Sequence, residues 1–196
     1  MKEKNINYKA STLDLSNKKI TVFDVDGTLI KTVEGESTVF FDMMDSLLKI
    51  KSDRNLSAYP DRTYASCFNL NAKQLDTKTK KNVYELIEKE MNNFIESTYW
   101  ERNSTGEIYL EKAKKEKKEI VFLTGNWESC TMKKFSICEI ELSGVINSTT
   151  IEQDSKMNFL KRIIGSTPKN EVIYFGDSEY DQEIAKKTGI DYIMVK

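Results

Sequence analysis

A chain of 196 residues, 39% of them hydrophobic, is long enough for one packed domain, or one domain with a modest insertion, without disulfide or structural-metal support. Lys plus Arg numbers 30 and Asp plus Glu 31, a balance that argues against a dedicated nucleic-acid or membrane-surface binder, which would carry a basic excess. There is no histidine, so Ser-His and Cys-His nucleophiles and His-ligated zinc are excluded, and any acid or base working near neutrality must be a carboxylate, lysine, tyrosine or thiol.

In chain order, residues 1–18 are polar and read as a tail or loosely docked segment. Ile20-Thr21-Val22-Phe23 is a β-branched and aromatic run that stops at Asp24-Val25-Asp26-Gly27-Thr28. A long interval follows. Val39, Phe40, Met43, Met44, Leu47 and Leu48 have helical spacing, as do Val83, Leu86, Ile87, Met91, Phe94 and Ile95, whose helix opens near Asp76 or Thr77. Between them, residues 51–75 carry turn formers and Pro60, around a further short helix. Ser104 and Glu107 have the spacing of a capping box before a helix whose lysine-rich end, 112–118, reads as a solvated face.

Ile120-Val121-Phe122-Leu123 is a second apolar run and ends at Thr124-Gly125-Asn126. Met157, Leu160, Ile163 and Ile164 recur at helical spacing and are stopped by Gly165 and Pro168. Val172-Ile173-Tyr174-Phe175 ends at Gly176-Asp177-Ser178, Gly189 closes the helix after it, and 190–195 is a last run. Short, nearly continuous apolar runs alternating with helical patterns predict an α/β fold: a Rossmann-like, mainly parallel sheet flanked by helices. The interval from 35 to 100 is too long for a single crossover and predicts a helical insertion, leaving 1–34 and 101–196 as the core.

Ligands of open parallel sheets bind at the carboxyl ends of the strands. Three runs here end in small polar or acidic residues at that edge. Each ending alone is an ordinary turn; the three together point to a site. Asp24 and Asp26 are two apart and share a face of an extended strand, an arrangement stabilised by a cation or by protonation of one carboxylate. Gly27 permits a sharp turn and Thr28 offers a hydroxyl. A calcium loop with Gly27 at its centre would place Val22 and Val33 at ligand positions, so that reading fails.

Asp24-Val25-Asp26-Gly27-Thr28 resembles the first motif of the haloacid dehalogenase superfamily of phosphohydrolases. Thr124, Lys156 at a helix start, and Gly176-Asp177-Ser178 with Asp181 resemble the second, third and fourth motifs in order. The resemblance spans residues 20–195 and implies a phosphomonoesterase acting on a small phosphorylated metabolite. It implies Asp24 as nucleophile forming an aspartyl-phosphate, and Asp26 as the acid and base. It further implies Mg2+ held by the Asp24 and Asp177 carboxylates and the Asp26 backbone carbonyl. Thr124 and Lys156 would hold the phosphate oxygens, with Lys133, Lys134, Lys161 and Lys169 as rival lysines. Gly27, Thr28, Gly125 and Asn126 would approach the phosphate. Ser178 and Asp181 would support the site, although their spacing also suits a helix cap.

The insertion falls where this family carries a helical cap. Its hinges would be residues 34–37 and 100–106, with Gly35 and Gly106, and its specificity would involve Arg54, Tyr59, Arg62, Tyr64 or Lys73. Thr124-Gly125-Asn126 leans toward the phosphoglycolate-phosphatase-like branch. Alternatives are a phosphomutase of the same superfamily and an inactive binding or regulatory module; a phospho-receiver switch fits the long insertion poorly. Cys67, Cys130 and Cys138 form no Cys-x-x-Cys pair and suit a reducing compartment. No apolar run approaches the roughly 20 residues of a membrane span, and the opening MKEKNINYKA lacks a signal-peptide apolar region. These features predict a cytoplasmic protein with neither membrane nor nucleic acid as partner.

Overall fold

A computed structural model describes residues 13–196. Five parallel strands form one sheet: β1 (Ile20–Phe23), β2 (Glu119–Thr124), β3 (Val145–Ser148), β4 (Val172–Gly176) and β5 (Asp191–Met194). Their order is β3-β2-β1-β4-β5. The helices are α1 (Glu36–Leu48), α2 (Tyr64–Asn71), α3 (Thr77–Glu96), α4 (Ser104–Lys115), α5 (Glu128–Ile137), α6 (Lys156–Ile164) and α7 (Glu179–Thr188). The predicted α/β architecture is therefore present, with α1 to α3 inserted between the first two strands.

Alternation along the central strands divides the core. Phe23, Phe122 and Phe175 face one side, where they join Phe40, Phe68 and Trp127 from the inserted helices and α5 region. Val22, Val121, Leu123 and Tyr174 face the other, against Leu160 of α6 and Ile184 of α7. Both faces are covered, which is why these strands read as unbroken apolar runs. Phe23 stands beside both Phe122 and Phe175 in the ladder, so β1, β2 and β4 end at a common level.

Several expectations need correction. Within the segment read as a loose tail, Leu13 and Leu15 are buried in the core, and the Lys18 ammonium is buried against Asp191; residues 1–12 lie outside the described residues. The cap of α4 is Asn103, whose side chain accepts from the Thr105 and Gly106 amides, while Glu107 pairs with Arg102. Gly106 lies inside α4, where a Cβ would stand 1.9 Å from the Thr28 carbonyl oxygen, so it is a point of close helix approach. Strand β3 leaves no apolar run in sequence because it is Val145-Ile146-Asn147-Ser148, half polar and with no fully buried residue. Asp76 caps α3 as anticipated, accepting from the Lys78 and Thr79 amides.

Candidate active site at the carboxyl edge of the sheet

The sheet order reverses direction at β1: the chain moves to β2 and β3 on one side, then returns to β4 and β5 on the other. The crevice above such a switch point is where ligands enter. Asp24 follows β1 directly and is fixed by its amide donating to the Phe175 carbonyl at 2.9 Å. Lys156, the first residue of α6, donates to Asp24 Oδ1 at 2.6 Å and to Asp181 Oδ1 at 3.1 Å. Its ammonium is buried, which alone would lower its pKa. The charges of Asp181 and Asp24 outweigh that and hold it above its ordinary value.

Asp177 and Asp181 come from the loop after β4 and the first turn of α7. Of the two roles read for Ser178, the structure shows the helix cap. Ser178 caps α7 by accepting from the Asp181 amide at 3.1 Å, and its hydroxyl donates to Asp181 Oδ2. Tyr174 donates to Asp181 Oδ1 at 2.6 Å. Asp181 is thus almost fully engaged in holding Lys156, Tyr174 and Ser178. Asp177 is freer: Thr28 donates to its Oδ1 at 3.2 Å.

One carboxylate oxygen from each of Asp24, Asp177 and Asp181 lies within 4.8 Å of the others. Three carboxylates share one ammonium, and burial, then the Asp181 and Asp177 charges, push Asp24 well above the usual carboxylate range against the pull of Lys156. Burial and Asp181 raise Asp177 in the same sense. A hard, oxygen-ligated divalent cation is the group that such a negative cluster fits. Gly27 has φ +85°, and a Cβ there would fall 2.0 Å from Asp177 Oδ2, so only glycine leaves that carboxylate its place.

Thr124 is buried at the end of β2, and its hydroxyl accepts from the Asn126 amide at 3.0 Å, setting the turn through Gly125. Asn126 does not point to the three-carboxylate cluster. Its side-chain amide donates to Glu36 Oε1 at 2.8 Å and Asp26 Oδ2 at 3.3 Å.

Asp26 contains the surprise. Its Oδ1 accepts from Lys134 Nζ at 2.5 Å, and the same ammonium donates to Glu36 Oε1 at 2.6 Å. Lys134 was one of several rival lysines in sequence, and Glu36 was not singled out. The signal was present: with Cys130 and Trp127, Lys134 falls at i+4 and i+7 on the buried stripe of α5, a place where a lysine needs a partner. Burial opposes the Lys134 charge, but Asp26 and Glu36 hold its pKa above the ordinary value.

A cavity of about 460 Å³ opens over Asp24, Asp26, Lys156 and Asp177. The inserted helices supply its roof. The Tyr64 amide donates to the Gly125 carbonyl at 3.4 Å, Thr63 Oγ1 to the Asp154 carbonyl at 2.8 Å, and the Tyr180 hydroxyl to Asp61 at 3.0 Å. Of the five candidate specificity residues, Arg62 and Tyr64 line the cavity. Arg54 instead pairs with Asp42 and Asp45, Tyr59 donates to the Asp53 carbonyl, and Lys73 is exposed. Arg62 sits at φ +48° with its guanidinium 5.4 Å from the Tyr180 ring centroid.

The fold has many solved counterparts. CbbY from Rhodobacter sphaeroides, in complex with phosphate, superposes with a TM-score of 0.69 at 14% identity, over 90% of this chain and 85% of that one. A hydrolase from Pseudomonas syringae gives 0.66 at 14% identity, covering 90% and 84%. A predicted phosphoglycolate phosphatase from Haemophilus somnus gives 0.59 at 15% identity, covering 92% and 86%. No curated protein matches the chain in sequence. The family model described as haloacid dehalogenase-like hydrolase matches residues 21–195, nearly the whole chain and every motif around the crevice, and the protein belongs to that family.

Proposed function

We propose that this protein is a Mg2+-dependent phosphomonoesterase that hydrolyses a small phosphorylated metabolite through an aspartyl-phosphate on Asp24. The observation that carries the reading is the meeting of Asp24, Lys156 and Asp177, far apart in sequence, around one excess of negative charge. A divalent cation would be held by Asp24, Asp177 and the Asp26 carbonyl; when bound it would offset the charge between carboxylate and phosphate. Asp181, already engaged by Lys156, Tyr174 and Ser178, orients the lysine.

Asp24 Oδ attacks phosphorus, and the bond to the ester oxygen breaks. Asp26 gives a proton to the departing alkoxide and later takes one from the water that cleaves the aspartyl-phosphate, regenerating Asp24. Lys156 stabilises the charge on the non-bridging oxygens; the Gly27 amide is committed to the Ile30 carbonyl, so that glycine serves the site by leaving room for Asp177. The Thr124 hydroxyl shapes the Gly125 turn.

Residues 35–100 act as the cap, with 1–34 and 101–196 as the core. The hydrogen bonds of Tyr64, Thr63 and Tyr180 across the crevice support this division, since they seat α2 on the catalytic loops. A lid so placed excludes water from the phosphoenzyme. Arg62, the cap-borne cation in the cavity, favours a substrate with an anionic group beyond the phosphate. A reducing cytoplasm suits the three free, buried thiols; no helix among the described residues is long and apolar enough to cross a membrane.

The test is hydrolysis of para-nitrophenyl phosphate with Mg2+, followed by a panel of phosphorylated metabolites. Asp24-dependent phosphate release is expected. Intramolecular transfer of the phosphoryl group without release would instead identify a mutase, and absence of any turnover would leave a binding module.

A further inference from the structure

Asp26, Lys134, Glu36 and Asn126 close a ring. Lys134 Nζ bridges Asp26 Oδ1 at 2.5 Å and Glu36 Oε1 at 2.6 Å, and Asn126 Nδ2 bridges Asp26 Oδ2 at 3.3 Å and the same Glu36 oxygen at 2.8 Å. Both oxygens of Asp26 are therefore held, each by a different donor. The Lys134 side chain is wholly buried and the Glu36 side chain nearly so, whereas Asp26 keeps about a quarter of its side-chain surface exposed toward the cavity. The ammonium also lies 4.3 Å from the ring centroid of Trp100, so one face of it is covered by an aromatic surface that attracts cations.

Such a ring is costly to build. A buried lysine loses hydration and is seldom the cheapest way to fill a core position. A leucine at this point of α5 would pack against Trp100 without that cost. The four members come from the β1 loop, the start of α1, the turn after β2 and the last turn of α5, so the ring joins the insertion to the core at the one carboxylate proposed to move protons.

Resting on the phosphatase reading, we propose that Lys134 is a positioning residue, anchored by Glu36 and Trp100, that pins Asp26 Oδ1 and so leaves Oδ2, which keeps only the longer Asn126 contact, as the oxygen that carries the proton to the leaving group. Lys134 itself touches no substrate. Its ammonium is enclosed by Asp26, Glu36 and the indole, and it does not line the cavity. It is distinct in place and partner from Lys156, which is bound to Asp24 and Asp181.

A positioning role has a kinetic signature that a merely structural one lacks. The value of kcat/KM reports the steps up to phosphoryl transfer to Asp24, and only there does the leaving group's basicity matter. Para-nitrophenolate leaves without a proton; an alkoxide does not. In Lys134→Met, kcat/KM for an alkyl phosphate should fall about 100-fold or more, the scale of a lost general acid, while that for para-nitrophenyl phosphate falls less than about 10-fold. A series of aryl and alkyl esters should give a steeper dependence on leaving-group pKa than the wild type. Glu36→Gln, which retains an acceptor for Lys134 but loses its charge, should shift the series in the same direction by a smaller amount.

If circular dichroism shows that Lys134→Met does not fold, the series is run on Lys134→Met/Glu36→Gln, which removes one of the two carboxylates left without their cation; the same steepening is expected. An equal fall for every ester, in a folded variant, overturns the proposal and leaves Lys134 a structural residue. A wild-type protein with no Asp24-dependent hydrolysis of any ester overturns the phosphatase reading itself and this inference with it, so the two failures are told apart by the wild-type control.

Discussion

Lys156 reaches Asp24 across 132 positions of sequence, Nζ to Oδ1 at 2.6 Å, and does so from the first turn of α6. Ser155 caps that helix by accepting from the Asn158 amide, which aims the next side chain at the crevice. The same ammonium binds Asp181, so the pair is one edge of a buried network and more than an isolated ion pair.

Asp24→Asn should reduce turnover of para-nitrophenyl phosphate to background while leaving the circular dichroism spectrum unchanged. The substitution removes one of three clustered carboxylates, so without metal its thermal midpoint should equal or exceed that of the wild type. Retained turnover would remove Asp24 from the role of nucleophile.

Lys156→Met should be destabilising as well as inactive. It leaves Asp24 and Asp181 buried without their cation, a loss of about 3–5 kcal/mol at comparable buried pairs. Urea titration checks the figure, and pairing the change with Asp24→Asn should recover part of it, because one of the abandoned charges is then gone.

Chelation by EDTA should abolish activity, and Mg2+ should restore it. Ligand binding to the folded state alone raises stability by about 2.7 kcal/mol at a hundredfold excess over Kd, so added Mg2+ should raise the thermal midpoint of the wild type. Asp177→Asn should lose most of that rise. Equal shifts in both proteins would place the ion elsewhere.

Arg62→Ala should raise KM for phosphorylated substrates bearing a second anionic group by about 10- to 100-fold, the scale of one charge-assisted hydrogen bond. Its kcat should stay within a few-fold, since Arg62 lies in the insertion with its guanidinium against the Tyr180 ring and apart from the Asp24–Lys156 pair. Para-nitrophenyl phosphate, lacking the second anion, serves as the control.

The Cys67 and Cys130 thiols are pushed up to about 12 by burial, and burial also raises Cys138. Thiolate is the reactive form. Native protein at pH 8 should therefore react slowly with a disulfide reagent at all three positions, and react fully once unfolded in guanidinium; rapid labelling of the folded protein would contradict the packing around α2 and α5.

The strands and the acidic endings were legible in the amino-acid order because their causes are local. A strand covered on both faces must be apolar throughout, and a chain that turns at a ligand edge must use Asp, Gly, Ser and Thr. That was enough to mark Asp24, Asp26, Thr124 and Asp177, whereas Lys156, at a helix start, was marked only by the order of motifs in the family resemblance. Strand β3 was not legible, since Val145-Ile146-Asn147-Ser148 holds only two apolar residues, whereas the other edge strand, β5, lies in the longer apolar run of 190–195. Nor was the exact cap of α4, where Asn103 and Ser104 offer the same chemistry one residue apart and only the backbone path selects between them. Motif order favoured Lys156 over its rivals, but sequence assigned no partner to Lys134. A lysine's charge is the same everywhere; what differs is which carboxylates the fold brings to it, and that depends on strand order and helix rotation. Tertiary structure alone decided that Lys156 belongs to Asp24 and Asp181, that Lys134 belongs to Asp26 and Glu36, and that Arg62 faces the crevice while Arg54 does not, because pairing in space between distant segments is a property of the packed chain.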